Sequence, residues 1–270
     1  MSSAAEDRLS ALDSSLDSIL ATAAGTEQGL TVGSDLFAVV DALDAQPALR
    51  RALTDPGTSE EARSGIVRSL FDGKVNPAAV EVLVAAVRFR WAGGRTFTAA
   101  LERQAVRAQL RSIGSSSLGE TEDELFRFGR LVDSDGALRS TLGDRSAALN
   151  RRQDLVSELL SGKANDATIA LARRAVAARQ RTFANTIAGY VSLAAAERSR
   201  LLATVRVARP LDQTQLERLQ QTLSRQAGRE ISVQVIVDAE VLGGIRVELG
   251  DEVIEGTVAG RLDQARRLFE

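Results

Sequence analysis

The sequence predicts an α+β protein, predominantly α, in which a duplicated helical bundle region is followed by a small C-terminal β-α-β-β-β-α domain. Three observations carry this prediction. Apolar residues recur at helical spacing through most of the 270 residues. A block that begins at Leu36 returns 89 positions later, at Leu125, and keeps its register for more than fifty residues. Between Ile231 and Leu249 the apolar residues instead alternate with polar ones, a period of two that belongs to strands.

The N-terminal element is a helix. Ser3 and Glu6 have the spacing of a capping box, and Leu9, Leu12, Leu16, Ile19 and Leu20 form an apolar stripe behind an acidic face of Glu6, Asp7, Asp13 and Asp17. The segment from Gly25 to Gly33 holds three glycines and reads as a loop. The first copy then predicts helices over about 34–46, 48–54, 59–71 and 77–91, the last opened by Pro77, whose missing N–H costs little there. The second copy predicts helices over about 121–133, 137–142, 146–161 and 166–180, with Thr121 and Glu124 as a further capping box.

The duplication rests on matched residues. Leu36-Phe37 answers to Leu125-Phe126, Ala48-Leu49-Arg50 to Ala137-Leu138-Arg139, and Asp55 to Asp144. Arg63, Val67 and Leu70 answer to Arg152, Val156 and Leu159, and Gly73-Lys74 with Asn76 to Gly162-Lys163 with Asn165. Gly73 and Gly162 stand where a helix C-terminus favours a residue without a Cβ. Lys74 and Lys163, the only lysines, read as cap residues favourable to the helix dipole. Between the copies a helix over about 95–112 turns Phe97, Leu101, Ala105 and Ala108 inward, and Gly114 to Gly119 reads as a flexible turn. A last long helix over about 181–198 carries Phe183, Ile187, Tyr190, Val191 and Ala194 on one side. The chain thus divides into an extra N-terminal helical copy (1–93), a six-helix region (94–200) and a small α/β domain (201–270).

In the C-terminal domain, Ala203, Val205 and Val207 alternate with Thr204 and Arg206 as a strand that Pro210 stops. Asp212 and Gln215 cap a helix with Leu216, Leu219 and Leu223 on one face, and Gly228 ends it. Ile231, Val233, Val235 and Val237 make the second strand and Ile245, Val247 and Leu249 the third. Gly250-Asp251 suits a tight hairpin turn to a fourth at Val253-Ile254. Gly243-Gly244 permits a bulge or a close backbone approach. A final helix over about 258–269 buries Leu262, Ala265 and Leu268.

Composition excludes several function classes. There are no cysteines and no histidines, so thiolate zinc sites, cysteine nucleophiles and imidazole bases are ruled out. The formal net charge of −2 provides no global field for nucleic acid or an anionic bilayer. No signal peptide and no run of membrane-spanning length is apparent, so membrane association is expected only through partners. Neither a Gly-x-x-x-x-Gly-Lys-Ser/Thr nor a Gly-x-Gly-x-x-Gly pattern occurs. Asp251, Glu252 and Glu255 read as a solvated turn rather than a magnesium site. Arg173-Arg174 with Arg179 and Arg181, and Arg88 with Arg90 and Arg95, read as solvated faces or salt bridges rather than RNA contacts. No nucleophile stands with a base. The expectation is no catalysis, no cofactor and no metal.

The order Val237-Asp238-x-x-Val241-x-Gly243-Gly244-Ile245-x-Val247-Glu248-x-Gly250, continued to Gly256 and Leu262, resembles the signature of subunit delta of the F-type ATP synthase, the oligomycin-sensitivity-conferring protein family. Glu255 and Thr257 stand where that family often has Asp and Ser. The resemblance is specific over about 200–270 and supportive over about 95–198. The first ninety residues look like those of the longer, actinobacterial-like forms. Asp238, Gly243, Gly244, Gly250 and Gly256 carry the signature.

This resemblance implies a stator subunit of the peripheral stalk. It would link the catalytic head to the membrane-anchored b subunits and hold N-terminal segments of alpha subunits, at the cytoplasmic face of a bacterial plasma membrane. By analogy with helices one and five of the family domain, an alpha-subunit helix would lie in a groove lined by Leu101, Ala105, Ala108, Ile169 and Val176, using i, i+3, i+7 anchors. Two other classes stay open from the residues alone: a helical-repeat adaptor and an RNA-binding protein.

Overall fold

The structure, a computed structural model, describes residues 3–22, 26–113, 115–178, 182–200, 202–227, 231–238, 244–249 and 252–255. Two compact units emerge, one of Met1–Ile113 with Glu120–Ala194 and one of Gly114–Gly119 with Ala195–Glu270.

The first unit is helical. Its elements are α1 (Ser3–Thr22), α2 (Thr26–Ala45), α3 (Pro47–Thr54), α4 (Glu60–Phe71), α5 (Pro77–Arg88), α6 (Gly94–Arg111), α7 (Ser115–Ser134), α8 (Gly136–Gly143), α9 (Leu149–Leu160), α10 (Asp166–Ala177) and α11 (Phe183–Arg200), of which α7 and α11 extend into the second unit. The bounds of α2 to α6, moved by 89 residues, are those of α7 to α11. The repeat therefore reaches further than the matched side chains, because α6 answers to α11 although little beyond Ala99, Ala105 and Arg111 recurs. Helix α1 also falls on α6 at the same offset, so that Leu12 answers to Leu101 and Leu16 to Ala105, all four fully buried. Helix α6 thus ends one bundle and begins the next.

Local chemistry repeats with the backbone. Asn76 caps α5 through Ala78 N–H, and its own N–H donates to Asp35 at 2.6 Å. Asn165 caps α10 through Thr168 N–H and donates to Glu124 at 3.0 Å, and Asp35 and Glu124 are equivalent positions. The guanidinium of Arg63 donates to the carbonyls of Val87, Asp55 and Thr58, and that of Arg152 to those of Leu142 and Val176. Val87 and Val176 are again equivalent. Gly73 and Gly162 sit at φ 71° and 68°, the left-handed region open to glycine at a helix end. Lys74 and Lys163 donate to the carbonyls of Leu70 and Leu159, as expected for cations on the last turn.

Two expected loops are helix. Gly25 to Gly33 reads as a loop in sequence, yet α2 begins at Thr26. Gly33 is needed for a close crossing: a Cβ there would meet the carbonyl oxygen of Ala105 at 3.0 Å and Gln109 N at 3.2 Å. Gly114 to Gly119 likewise gives way to α7, which begins at Ser115. Thr121 and Glu124 are consequently not a capping box but mid-helix residues whose side chains reach Asn165 and Thr168 across the bundle.

The core of α1 to α6 contains Leu12, Leu16, Leu36, Leu43, Leu83, Phe97 and Leu101. Beside it lies an ion ladder, buried at Asp13 and Arg107 and partly exposed at Arg103 and Asp17. Asp13 accepts from Arg103 at 2.6 Å, Gln104 at 2.7 Å and Arg107 at 3.1 Å. Asp17 accepts from Arg107 at 2.8 Å and from Arg111. Arg107 is 1% exposed, and a cation that deep persists only with paired carboxylates.

The second unit contains β1 (Leu202–Val207), α12 (Gln213–Ala227), β2 (Ser232–Val237), β3 (Ile245–Leu249) and β4 (Glu252–Glu255) in a sheet ordered β2-β1-β3-β4. The β1-α12-β2 crossover makes β1 and β2 a parallel pair, while β3 lies antiparallel to both β1 and β4. Asp212 and Gln215 form the reciprocal cap expected of them, at 2.8 and 3.0 Å. Ala203, Val205, Val207, Leu223, Ile231 and Val247 make the core. Val237, expected in the same apolar row as Ile231, is 53% exposed at the end of an edge strand. The expected turn at Gly250-Asp251, the helix end at Gly228 and the final helix over 258–269 lie outside the described residues.

Candidate partner-binding site

Helices α6 and α10 touch, as α1 and α5 do one bundle earlier. The five residues expected to line a groove there are placed differently from one another. Leu101, Ala105 and Ala108 are fully buried in the core of α1 to α6. Val176 is 5% exposed and Ile169 is half-buried, so Ile169 alone presents substantial surface. Periodicity finds the apolar face of a helix, but it does not say whether another helix of the same chain already covers that face.

What joins α6 to α10 is a polar node that sequence reasoning did not single out. Arg174 donates to Glu102 at 2.5 and 3.0 Å and to Asp41 at 2.8 Å, and its guanidinium lies 4.7 Å above the Phe37 ring. Tyr190 donates its hydroxyl to Glu102 at 2.5 Å. Burial opposes the charge on Arg174, but Glu102 and Asp41 together hold its pKa above the ordinary arginine range. Burial and then the Glu102 carboxylate push the Tyr190 phenol up, keeping it a donor. In the sequence Arg174 belongs to an apparent basic cluster, and the structure consumes it internally. Its neighbour Arg173 donates to Ser157 at 2.6 Å. Arg88, Arg90 and Arg95 are exposed.

Of the signature residues, Asp238 and Gly244 are described. Asp238 N–H donates to the Val207 carbonyl at 2.9 Å, continuing the β1–β2 ladder, and its carboxylate lies 3.7 Å from Arg206. Gly244 adopts φ 93° immediately before β3, a conformation that strains residues bearing a Cβ. Gly243, Gly250 and Gly256 lie outside the described residues. Among the described residues there is no cluster of three or more side chains able to hold a metal ion, and no helix long and apolar enough to cross a membrane. The surfaces on offer are helix faces and sheet edges.

The sequence model of the family described as ATP synthase delta (OSCP) subunit matches residues 107–269. The chain belongs to that family. It is 46% identical over 248 residues to the ATP synthase subunit delta of Kineococcus radiotolerans, covering 91% of this chain and 90% of the relative. Similarity to the subunit delta of a Parafrankia species is 39% over 275 residues, 99% of each chain. To that of Corynebacterium glutamicum it is 36% over 270 residues, the whole of both chains. The helical copy that precedes the matched family region is therefore shared with relatives of full length.

Proposed function

We propose that this chain is the delta subunit of an F-type ATP synthase, a stator component of the peripheral stalk that resists rotation of the catalytic head. The observation that carries the reading is the family match over residues 107–269, together with full-length similarity to proteins named ATP synthase subunit delta. Those comparisons support neither the adaptor nor the RNA-binding alternative. A stator bears load without turning over substrate, so the subunit is read as non-catalytic. It would reach the membrane through partners, at the cytoplasmic face of a bacterial plasma membrane. Buried ion pairs between long helices suit such a part, because they resist relative sliding of the helices that they join.

Within that role, the helical part would sit on the head and hold N-terminal helices of alpha subunits, and the α/β domain would grip the b subunits. Residues 1–93, 94–200 and 201–270 are read as its functional parts, with 1–93 adding a further contact along the head or the stalk. The α6/α10 surface would take one alpha-subunit segment, with Ile169 at the contact and Leu101, Ala105, Ala108 and Val176 supporting it from beneath.

Membranes depleted of this chain should lose ATP synthesis while the head still hydrolyses ATP, and adding the chain back should restore coupling. Full synthesis without it would overturn the stator reading. An alpha-subunit N-terminal peptide should bind the full chain, and Ile169→Asp should weaken that binding with helix content unchanged. Undiminished binding would remove the α6/α10 assignment and leave the stator role standing.

A further inference from the structure

The second helical copy exposes a surface whose counterpart in the first copy is covered. Phe37 on α2 is half-buried beneath Arg174 of α10. Its equivalent 89 residues on, Phe126 of α7, is 57% exposed. One turn further along α2, Asp41 pairs with Arg174; its equivalent is Arg130, exposed on α7. Glu102 of α6, the other carboxylate on Arg174, is replaced in α11 by the half-buried Val191. Ala42 is replaced by Leu131, which is 50% exposed. Phe126, Arg127, Arg130 and Leu131 fall on one side of α7 by helical spacing.

We propose that this face of α7 docks an amphipathic helix of a partner protein that presents a carboxylate to Arg130. Two features of the molecule specify that occupant. The first copy already shows the geometry, since α10 lies against α2 and α6 with Arg174 set over Phe37 and paired with Asp41 and Glu102. The same backbone recurs at α7 and α11, and there Phe126 and Leu131 stay exposed. The charges are also inverted. Two anions receive a cation in the first copy, whereas one cation and no anion stand at the same places in the second. An arginine like Arg174 would be repelled there, and a glutamate or aspartate would be paired. The inference does not depend on the stator reading, since it rests on the internal repeat alone.

The probe is a peptide with the sequence of residues 166–178 carrying Arg174→Glu, with the unaltered peptide as control, and binding to the full chain is read by fluorescence anisotropy. The glutamate peptide should bind at least about ten-fold more tightly than the control. Phe126→Asp should abolish that binding without changing the circular dichroism, because the ring is exposed. Arg130→Glu should reverse the preference in favour of the arginine peptide, a result that a merely destabilised variant would not give. Equal affinity for the two peptides, no binding up to about 1 mM, or undiminished binding by Phe126→Asp would overturn the proposal. So would a dimer of the chain that Phe126→Asp dissociates, since the face would then belong to a second copy.

Discussion

The two helical copies share a backbone and differ in what braces it. In the first, α1 and α6 are joined by Asp13 and Asp17 against Arg103, Arg107 and Arg111. At the positions 89 residues on, Arg103, Gln104 and Arg107 become Ser192, Leu193 and Ala196, and Asp17 becomes Val106; only Asp13 and Arg111 keep their charge, as Glu102 and Arg200, so the ladder does not recur as a whole. What recurs is smaller and more local: the asparagine caps, the positive-φ glycines, the lysines behind them and one buried arginine per copy. Local geometry is thus held by residues that fix chain direction, whereas the polar bracing between helices is free to differ.

The largest expected effect tests the ladder itself. Asp13→Ala removes the acceptor of Arg103, Gln104 and Arg107 and leaves Arg107, 1% exposed, with Asp17 as its carboxylate partner beside the Gln104 amide oxygen. A loss of about 3 kcal/mol is expected in urea unfolding of the full chain. The pH dependence has a definite sign. Burial raises the Asp13 pKa, but the hydrogen bond from Arg103 and the charge of Arg107 outweigh it and hold the carboxyl below its ordinary 3.8. A depressed folded pKa contributes stability that is complete above about 3.8 and is lost as pH falls through the lower folded value. Asp13→Asn should therefore flatten the acid limb of the stability curve below pH ~4. An unchanged limb would show that protonation of Asp13 is not coupled to folding.

The buried arginines should differ between copies. Arg63 donates to three carbonyls at 2.6 to 3.1 Å, including Val87 through Nε at 2.8 Å. Arg152 donates to two, at 3.1 and 3.5 Å, and its buried Nε has no partner. Unfolding of Arg63→Ala should cost about 2–3 kcal/mol and of Arg152→Ala about 1 kcal/mol. Equal losses would mean that the hydrogen bonds of Arg63 add nothing beyond packing.

Most helices were legible because their ends carry chemistry. Asn76-Pro77, Asn165, Gly73, Gly162 and the Asp212/Gln215 cap mark boundaries that the structure keeps. The alternation of β1 and of β3 was equally plain. Glycine was the ambiguous letter: Gly33 marks a close crossing and not a loop, and only the Ala105 carbonyl opposite it reveals which. The equivalence of α6 and α11 was hidden because core positions kept their burial while changing size and identity, as from Leu101 to Tyr190. The node around Arg174 was hidden because its partners stand 72 and 133 residues away in the chain. Nothing in local pattern distinguishes a spent arginine from a solvated one.

The glycines give a smaller contrast. At Gly33 a new Cβ meets backbone on α6, which cannot step aside, so Gly33→Ala should destabilise by about 1–2 kcal/mol. Its counterpart is Glu122, and the close approach in the second copy is instead at Gly129, where the Cβ would meet Ile187 Cγ2 at 3.0 Å. A side-chain methyl can shift, so Gly129→Ala should cost less than about 1 kcal/mol. Exposed Gly65 in α4 has nothing within 4 Å, and Gly65→Ala should stabilise by about 0.5–1 kcal/mol through helix propensity. Thermal unfolding of the three variants orders them directly.

The smallest effect is the one for which the copies should agree. Lys74 Nζ donates to the Leu70 carbonyl at 2.8 Å and Lys163 Nζ to the Leu159 carbonyl at 3.3 Å, both in exposed surroundings at a helix C-terminus followed by a positive-φ glycine. The attraction is that of a solvated cation for the negative end of a helix, so each Lys→Ala change should cost only about 0.3 kcal/mol at low salt. Screening should erase the cost at roughly 1 M salt, where the Debye length falls to about 3 Å. Because the two sites share sequence, backbone and exposure, the 0.5 Å difference in hydrogen-bond length (2.8 against 3.3 Å) should not separate them. Paired denaturation curves at low and high salt decide the point. Unequal losses that survive salt would mean that one lysine makes a specific contact, and that the repeat at these turns is one of shape and not of energetics.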